Sequence, residues 1–332
     1  MTAELVTLIP PGTGGVRDYA EIMARHVPTR ILAPTPETPL AEYGSGDVML
    51  HFSGYGYQSR GVPTWLVKRL RQIKSKKRKV GVFFHELFAT SPPWRSAFWL
   101  HIAQRKIAAD LAELADFWMT NRESSEIWLK GHASHVPHVC LPVYSNVGEP
   151  EAAMQPRHAR KLVIFGGPGS RTLAYRDLDD QFWQWCKKEG FEVHDVGPAL
   201  EAQLHRRLND TQTIHWHGEI PAEQVSRLLL ESTFGIVSYP TAGVSKSGVF
   251  AAYCAHGVCP VLLARSYHVH DGLHANVHYL AGVSALTRGQ ADAHRIGIDA
   301  RNWYLPHDVQ AHARALQSLL RAARESVHAA SS

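Results

Sequence analysis

Lysine and hydroxyl side chains stand together in a segment of small residues at 240–261, where Lys246 lies between Ser245 and Ser247. The pattern predicts a buried strand at 234–238, followed by a helix that begins near Ser245. The first N–H groups of a helix have no partner within it, and the helix dipole adds positive charge there, so such an end attracts phosphate. The segment therefore indicates a site for a phosphorylated ligand. The alternative is an ordinary strand–loop–helix unit in which Lys246 is only solvated.

A second loop with similar chemistry follows the strand predicted at 161–165. Glycines let a backbone approach phosphate closely, and guanidinium groups bind phosphate oxygens in pairs. The glycines and arginines of this loop are Gly166, Gly167, Gly169, Arg171 and Arg176. The loop lacks the third glycine of the dinucleotide-binding pattern Gly-x-Gly-x-x-Gly. The chain also has no Gly-Lys-Ser or Gly-Lys-Thr phosphate loop, which disfavours an ATPase.

The scaffold that positions these loops is predicted from apolar strands that alternate with amphipathic helices. The strands are predicted at 5–9, 48–52, 79–84, 117–120, 161–165, 191–196, 213–216, 234–238 and 258–263. Such alternation implies right-handed crossovers and mainly parallel sheets, with ligands at the carboxyl ends of the strands. A polar segment at 146–160 has the composition of a linker. We therefore predict an α/β protein with two doubly wound Rossmann-like domains facing across a cleft, at 1–148 and 149–307.

Composition limits the class of protein. The chain has 332 residues, 45% of them apolar, and a net charge of +5, which suits a soluble protein of two domains. It contains no run of about 18 uncharged apolar residues that could span a membrane, and its N-terminus lacks a signal-peptide pattern. Its four cysteines show no metal-site spacing, so we expect a reducing, cytoplasmic location.

Two histidines, His215 and His217, flank Trp216 on a predicted strand. Alternation along a strand puts both side chains on one face. Without an acidic or cysteine partner, they are interpreted as structural residues rather than metal ligands, and we predict no metal site.

Motifs in chain order resemble one known family. They are Gly-Gly-Val-Arg-Asp-Tyr-Ala at 14–20, Phe-Phe-His-Glu at 83–86, His-Gly-Glu-Ile-Pro at 217–221, and the small-residue helix after Ser245. Together they resemble the GT-B glycosyltransferases of family 4, which are retaining enzymes that use nucleotide-sugar donors. The resemblance covers nearly the whole chain. It implies the GT-B fold, with a final helix at 308–332 that packs back on the first domain.

The resemblance also implies roles for individual residues. The chain would transfer a sugar from a nucleoside-diphosphate sugar to a glycan or lipid-linked saccharide, without a metal or a cofactor. His85 matches the histidine near the transferred sugar and is the catalytic candidate. The donor-binding candidates are Gly14, Gly15, Gly167, Arg171, Arg176, Gly218, Ser245, Lys246 and Ser247. The acceptor-side candidates are Tyr55, Tyr57, Glu86 and Trp94.

Two positions depart from the family pattern, which places one Glu before the small-residue helix and a second within it. In the family, the first approaches the donor sugar and the second binds ribose. Here Ser245 and either Ala252 or Tyr253 stand in their places. The alternative function is therefore a catalytically impaired nucleotide- or sugar-binding partner of an active glycosyltransferase. A sugar-phosphate enzyme of the same fold, such as an epimerase, is a third hypothesis.

A basic run at 68–79 lies close to an aromatic segment at 91–100. Basic residues attract anionic lipid headgroups, and large aromatic rings suit the membrane interface. The pair of segments predicts peripheral binding to the inner face of a membrane, and no nucleic-acid partner is expected. The alternative is that the charges are solvated and the rings line the core or the cleft.

Overall fold

The computed structural model of the chain describes residues 4–89, 96–151, 160–288 and 292–329. The chain forms two compact units. Unit 1 consists of Met1–Pro142 together with Val309–Ser332, and unit 2 is the continuous segment Val143–Asp308. Three of the sequence predictions fall at least partly outside the described residues, namely Trp94, the part of the aromatic segment at 91–95 and the part of the linker at 152–159.

Each unit contains one six-stranded sheet in which all the paired strands are parallel. The strands of unit 1 are β1 (Leu5–Leu8), β2 (Thr29–Leu32), β3 (Val48–Phe52), β4 (Val80–Phe84), β5 (Phe117–Thr120) and β6 (His138–Cys140). Those of unit 2 are β7 (Lys161–Phe165), β8 (Glu192–Val196), β9 (Ile214–Trp216), β10 (Phe234–Ser238), β11 (Cys259–Leu263) and β12 (Leu280–Ala281). The predicted α/β fold of two Rossmann-like domains is confirmed.

Helices form most of the connections between the strands, as is usual for parallel pairing. They are α1 (Gly15–Ala24), α2 (Gly54–Tyr57), α3 (Thr64–Lys74), α4 (Ser96–Leu114), α5 (Glu123–Ala133), α6 (Pro168–Asp177), α7 (Asp180–Glu189), α8 (Ala202–Thr211), α9 (Ala222–Leu230), α10 (Gly248–Ala255), α11 (Val283–Thr287), α12 (Ala293–Tyr304) and α13 (Val309–Ala329). Short 3-10 helices lie at Leu40–Tyr43, Thr241–Lys246 and Leu305–His307. None of the described helices is both long and apolar enough to cross a membrane.

The strand order creates one crevice in each unit. The order is β2-β1-β3-β4-β5-β6 in unit 1 and β12-β11-β10-β7-β8-β9 in unit 2. The direction of the order changes between β1 and β3 in unit 1 and between β7 and β10 in unit 2. Connections leave such a pair of strands towards opposite faces of the sheet, which opens a ligand crevice at the carboxyl ends. A ligand site is therefore expected at the loops after β1, β3, β7 and β10.

Helices cover both faces of the central strands, which are mostly apolar. In unit 1 all residues of β3 and β4 are buried, and Leu66, Leu70 and Leu111 of the flanking helices belong to the same core. In unit 2 the core joins Ile164 and Ile236 of the sheet to residues of α7 and α8. Strands of a parallel sheet that are buried on both faces have nearly continuous apolar sequences. These strands could therefore be predicted from the sequence.

Helix α13 packs against α1 and β5 of unit 1, although it follows unit 2 in the chain. His312 of this helix is fully buried. Its Nε2 lies 2.9 Å from the carbonyl oxygen of Pro142, which can only accept a hydrogen bond. In the neutral ring Nδ1 is then the acceptor, and the Tyr19 hydroxyl donates to it at 2.5 Å.

Much of the basic run at 68–79 is paired inside unit 1. Arg78 is buried and donates to the carbonyl oxygens of Tyr43, Gly44 and Gly46. Other partners are acidic or aromatic: Lys74 and Lys79 lie near Asp116, Arg71 near Asp110, and Arg69 over the ring of Tyr43. The exposed lysines of the run are Lys68, Lys76 and Lys77. The run is thus partly structural, and it exposes these three lysines and Arg71 to solvent.

Candidate functional site

The crevice of unit 2 is bounded by the loops after β7 and β10. Helix α6 begins immediately after β7, with Gly167 as its N-cap and Pro168 as its first residue. Helix α10 begins at Gly248, with Ser247 as its N-cap. Gly166 has a φ of +127°, and a Cβ there would lie 3.0 Å from Cγ2 of Val249. The two loops are therefore in contact, and Gly166 must be glycine for both its conformation and its close approach to α10.

Ser247 provides the local signal that starts α10. Its Oγ accepts a hydrogen bond from the backbone N–H of Phe250 at 3.2 Å, as an N-cap serine does. The sequence predicted a helix from Ser245, whereas Thr241–Lys246 form a 3-10 helix and the α-helix begins three residues later than predicted. Lys246 thus immediately precedes the cap, at the positive end of α10.

Ser245 is buried, and its hydroxyl donates to Oδ2 of Asp271 at 2.6 Å. Its backbone carbonyl accepts from Val143 N–H at 2.9 Å. Asp271 has a left-handed backbone conformation, with a φ of 52°, and its carbonyl oxygen accepts from the Trp303 indole at 2.9 Å. A carboxylate therefore lies beside position 245, supplied from 26 residues downstream. The sequence analysis did not predict this carboxylate, because no pattern near Ser245 indicates a contact with Asp271.

Ala252 and Tyr253, which stand in the place of the second family Glu, are both fully buried. The Tyr253 hydroxyl lies 3.1 Å from the carbonyl oxygen of Val163 and 3.0 Å from that of Ile236. It thus bridges β7 and β10 beneath the crevice. Neither side chain presents a carboxylate to a ribose.

Arg171, which the sequence predicts as a ligand of the donor diphosphate, is held inside unit 2. Its guanidinium is buried and binds the carboxylate of Asp195 and the carbonyl oxygens of Gly166 and Pro198. The Tyr175 hydroxyl donates to the other oxygen of Asp195 at 2.9 Å. Burial raises the pKa of Asp195, while Arg171 and Tyr175 oppose that rise. The pair fixes the loops after β7 and β8.

Arg176 lies at the other end of α6 and is exposed. The residue beside it, Asp177, accepts a hydrogen bond from the Ser238 hydroxyl at 3.0 Å. Ser238 is the last residue of β10. The end of α6 that carries Arg176 therefore lies against the strand that leads into the Lys246 loop.

A cavity of about 220 Å³ lies at the carboxyl ends of β8 and β9. Its walls are formed by backbone after β8 (Gly197–Leu200), by Gly218 and Glu219, and by side chains of His205 and Trp216, with Arg171 and Asp195 also contributing. Gly218 has a φ of +65°, and a Cβ there would meet nothing within 4 Å. This predicted donor-site glycine thus borders open space beside the ion pair.

In unit 1, the catalytic candidate His85 is buried directly after β4. Its Nε2 lies 2.9 Å from Nδ1 of His51, and its ring stacks on Phe83 with a centroid distance of 4.3 Å. Tyr19 packs edge-on against it at 5.1 Å. Burial lowers the pKa of His51 to about 3, so that ring stays neutral. The four rings form one network with His312.

The acceptor-side candidates occupy different environments. Glu86 is exposed and accepts from the Ser53 hydroxyl at 3.4 Å, which joins the loops after β4 and β3. Tyr55 is 43% exposed, and its hydroxyl accepts from Gln104 at 2.9 Å. Tyr57, in contrast, is buried against Trp65 and is part of the core. It therefore does not match its prediction as an acceptor-side contact.

The loop after β1 brings Gly14 and Gly15 to the switch point of unit 1. Gly14 is the N-cap of α1 with a φ of +134°, and a Cβ on either glycine would meet nothing within 4 Å. Both residues are exposed. The loop is open to a ligand and needs glycine at position 14 for its conformation.

Comparisons with known proteins agree on the fold. Neither a protein-family model nor a curated protein matches this sequence. The pneumococcal O-GlcNAc transferase GtfA, solved with UDP and GlcNAc, aligns with a TM-score of 0.57 at 11% identity over 86% of this chain, which spans 57% of the length of GtfA. Anabaena HepE, solved with UDP, aligns with a TM-score of 0.60 at 12% identity, over 98% of this chain and 100% of its own.

The α,α-trehalose 6-phosphate synthase of Burkholderia multivorans aligns with a TM-score of 0.58 at 13% identity, over 97% of this chain and 78% of its own. At such low identity these likenesses show the fold alone. They establish that the chain has the GT-B fold, as the motifs had indicated.

Proposed function

We propose that this protein transfers a sugar from a nucleotide-sugar donor, and that the donor diphosphate binds in the crevice of unit 2. The observation that carries the proposal is the meeting of two helix N-termini at this crevice, those of α6 and α10, with Lys246 beside them. Unpaired N–H groups, two helix dipoles and an ammonium group together suit a diphosphate. The neighbouring proteins solved with UDP support a nucleoside diphosphate as the ligand.

Lys246 and Arg176 are proposed to neutralise the departing diphosphate. When the bond between the anomeric carbon and the diphosphate oxygen breaks, negative charge develops on that oxygen, so cations placed there lower the barrier. In the retaining, metal-independent route that the family resemblance implies, the acceptor hydroxyl attacks on the same face and its proton passes to the diphosphate. Arg171 acts as a positioning residue because its guanidinium is held by Asp195.

Asp271 and Ser245 are proposed to replace part of the missing carboxylate function. The family pattern has Glu at position 245, whereas here a serine hydroxyl donates to a carboxylate from another loop. That pair brings a negative charge close to the place where the family contacts the donor sugar. The ribose-binding role has no such replacement, since Ala252 and Tyr253 are buried.

In unit 1, at the carboxyl end of β4, we propose His85 as the catalytic residue near the transferred sugar and Glu86 as a residue that meets the sugar acceptor. The acceptor is a glycan or a lipid-linked saccharide. Docking on an anionic membrane, and with it a peripheral location on the inner membrane face, stays a prediction, which the exposed lysines of unit 1 support in part.

The second candidate function is a nucleotide- or sugar-binding partner without catalytic activity. The absence of both family glutamates favours it. The two functions predict the same ligand but different turnover. Release of nucleoside diphosphate from a panel of nucleotide sugars, with and without candidate acceptors, separates them.

The test of the donor site is nucleoside diphosphate binding by calorimetry, beginning with UDP. We expect Lys246→Ala to weaken UDP binding by about 10- to 100-fold, the usual effect of losing a charge-assisted hydrogen bond. Lys188→Ala, which removes an exposed lysine from α7 in the same unit, is the matched control and should bind UDP normally. Equal affinity in wild type and Lys246→Ala would overturn the proposed site, and failure to bind any nucleoside diphosphate would overturn the function.

A further inference from the structure

Three histidines and a glutamate gather on one face of the outermost strand pair of unit 2. His194 of β8 pairs in register with His215 of β9, the edge strand of the sheet. Glu192 lies two residues before His194 and His217 two residues after His215, so alternation puts all four side chains on the same face. One ligand atom from each of Glu192, His194 and His215 lies within 4.8 Å of the other two.

The buried His194 is held at both of its ring nitrogens. Nε2 lies 3.4 Å from Oε2 of Glu192, and Nδ1 lies 2.9 Å from Nε2 of His217. The ring also stacks on His215 with a centroid distance of 4.8 Å. One nitrogen therefore faces the carboxylate, while the other lies within hydrogen-bond distance of His217, which orients the ring. Metal-bound histidines use this arrangement, in which a second residue orients the ring through the nitrogen that does not bind metal.

Backbone hydrogen bonds fix the strand positions from which the four side chains project. His217 N–H donates to the carbonyl oxygen of Asp195 at 2.9 Å, which extends the pairing of β8 and β9 beyond the last residue of β9. Gly197 N–H donates to Gly218 O at 2.8 Å. His194 is buried, whereas Glu192 and His215 are exposed and can rotate. Tetrahedral ligands at 2.0–2.1 Å from zinc lie about 3.4 Å apart, so small rotations of the two exposed side chains would close the site.

We propose that this face binds one divalent transition-metal ion of the zinc class through Glu192, His194 and His215, with His217 orienting His194. Two imidazole nitrogens and one carboxylate oxygen are a donor set that suits zinc and its neighbours rather than magnesium or calcium, which prefer oxygen ligands only. Three protein ligands leave a fourth position for water. Because the ligands come from two strands, the ion ties the edge strand β9 to β8.

Zinc titration of untagged, metal-free protein tests the proposal. Calorimetry should give one ion per chain, and zinc should raise the melting temperature, because an ion that binds only the folded state stabilises it. The chain has 21 histidines, so the decisive measurement is the comparison between variants. His215→Ala is the main variant, since this exposed side chain is not required by the core; circular dichroism checks its fold.

His215→Ala and Glu192→Gln should each weaken zinc binding at least tenfold. His217→Asn should weaken it about 10- to 100-fold while one ion still binds, as loss of an orienting residue does. His135→Ala, which removes an exposed histidine from unit 1, is the control and should leave binding unchanged. The proposal is overturned if wild-type protein binds no zinc at micromolar concentration, or if His215→Ala binds it as tightly as wild type.

Discussion

Units 1 and 2 have the same kind of fold. The polar groups buried near the carboxyl ends of their strands, however, are stabilised by different interactions. Unit 1 uses a network of rings, in which His51 bonds to His85 and Tyr19 bonds to His312, and burial keeps the His51 ring neutral by lowering its pKa. Unit 2 uses a buried ion pair between Arg171 and Asp195. A neutral network loses stability when a proton is added, whereas an ion pair loses it when one partner is removed. We therefore predict that acid lowers the stability of unit 1 more than that of unit 2. Removal of one partner of a polar pair should lower the stability of unit 2 more than that of unit 1.

The largest effect is expected from breaking the ion pair of unit 2. Asp195→Ala should lower the free energy of unfolding by about 3–5 kcal/mol, because it leaves the Arg171 guanidinium buried without a counter-ion. Urea denaturation measures this. The double variant Arg171→Met/Asp195→Leu, which removes both charges, should recover most of the loss. A loss below about 1 kcal/mol for Asp195→Ala would show that Arg171 does not need its partner.

A proton added to unit 1 should have the next largest effect. The pKa of His51 is about 3 in the folded protein and about 6.5 when unfolded. The unfolded chain therefore binds the proton more readily, and stability present above pH 6.5 is lost as pH falls towards 3. Between pH 7 and pH 5 the loss from this one group is about 2 kcal/mol. His51→Asn, which cannot titrate, should flatten the pH dependence of denaturation by that amount, and an unchanged slope would contradict the assignment.

Two helix caps in unit 2 allow an effect on stability to be separated from an effect on ligand binding. Ser247 caps α10 and Asp179 caps α7, each through a hydrogen bond to a backbone N–H. Replacing either by Ala should cost about 1 kcal/mol of stability. Only Ser247→Ala should also weaken UDP binding, because α10, unlike α7, begins at the crevice. Equal UDP affinity in the two variants would argue against a ligand at α10.

The smallest effect on stability is expected at the exposed lysines of unit 1. Lys76→Ala and Lys77→Ala should change the free energy of unfolding by less than about 0.5 kcal/mol. If unit 1 binds an anionic membrane through them, each should still reduce binding to vesicles containing phosphatidylserine, by up to about 1 kcal/mol. Sedimentation with such vesicles at low salt measures this. Wild-type protein that stays in the supernatant would remove the membrane prediction.

The sequence predicted the buried strands well and the short polar elements poorly. Strands such as Val80–Phe84 form continuous apolar runs, which are typical of strands buried on both faces in the middle of a parallel sheet. Strand β2 (Thr29–Leu32) was missed because it is half-buried at an edge and too short for a clear period. Helix α6 was taken for a loop, since its first residues are Pro-Gly-Ser. Proline at a first helical position was the signal that could have revealed it.

The candidate site divides in the same way. The glycines and Lys246 were found because they follow strands directly, where local sequence fixes their position. Asp271 and Glu192 were missed, since their partners Ser245 and His215 are 26 and 23 residues away in the chain. Arg171 was assigned to a ligand because sequence spacing cannot tell whether a guanidinium turns outward or meets a buried carboxylate.

The division of unit 1 into two chain segments affects how the protein is made on the ribosome. The 166 residues of unit 2 (Val143–Asp308) are synthesised between the body of unit 1 and α13. At 5–20 residues per second this takes about 8–33 s. During that interval the Tyr19 hydroxyl lacks its acceptor on His312, and the surface of α1 and β5 that α13 covers is open to water. Unit 2 can therefore complete its fold during translation before unit 1, although most of unit 1 is made first.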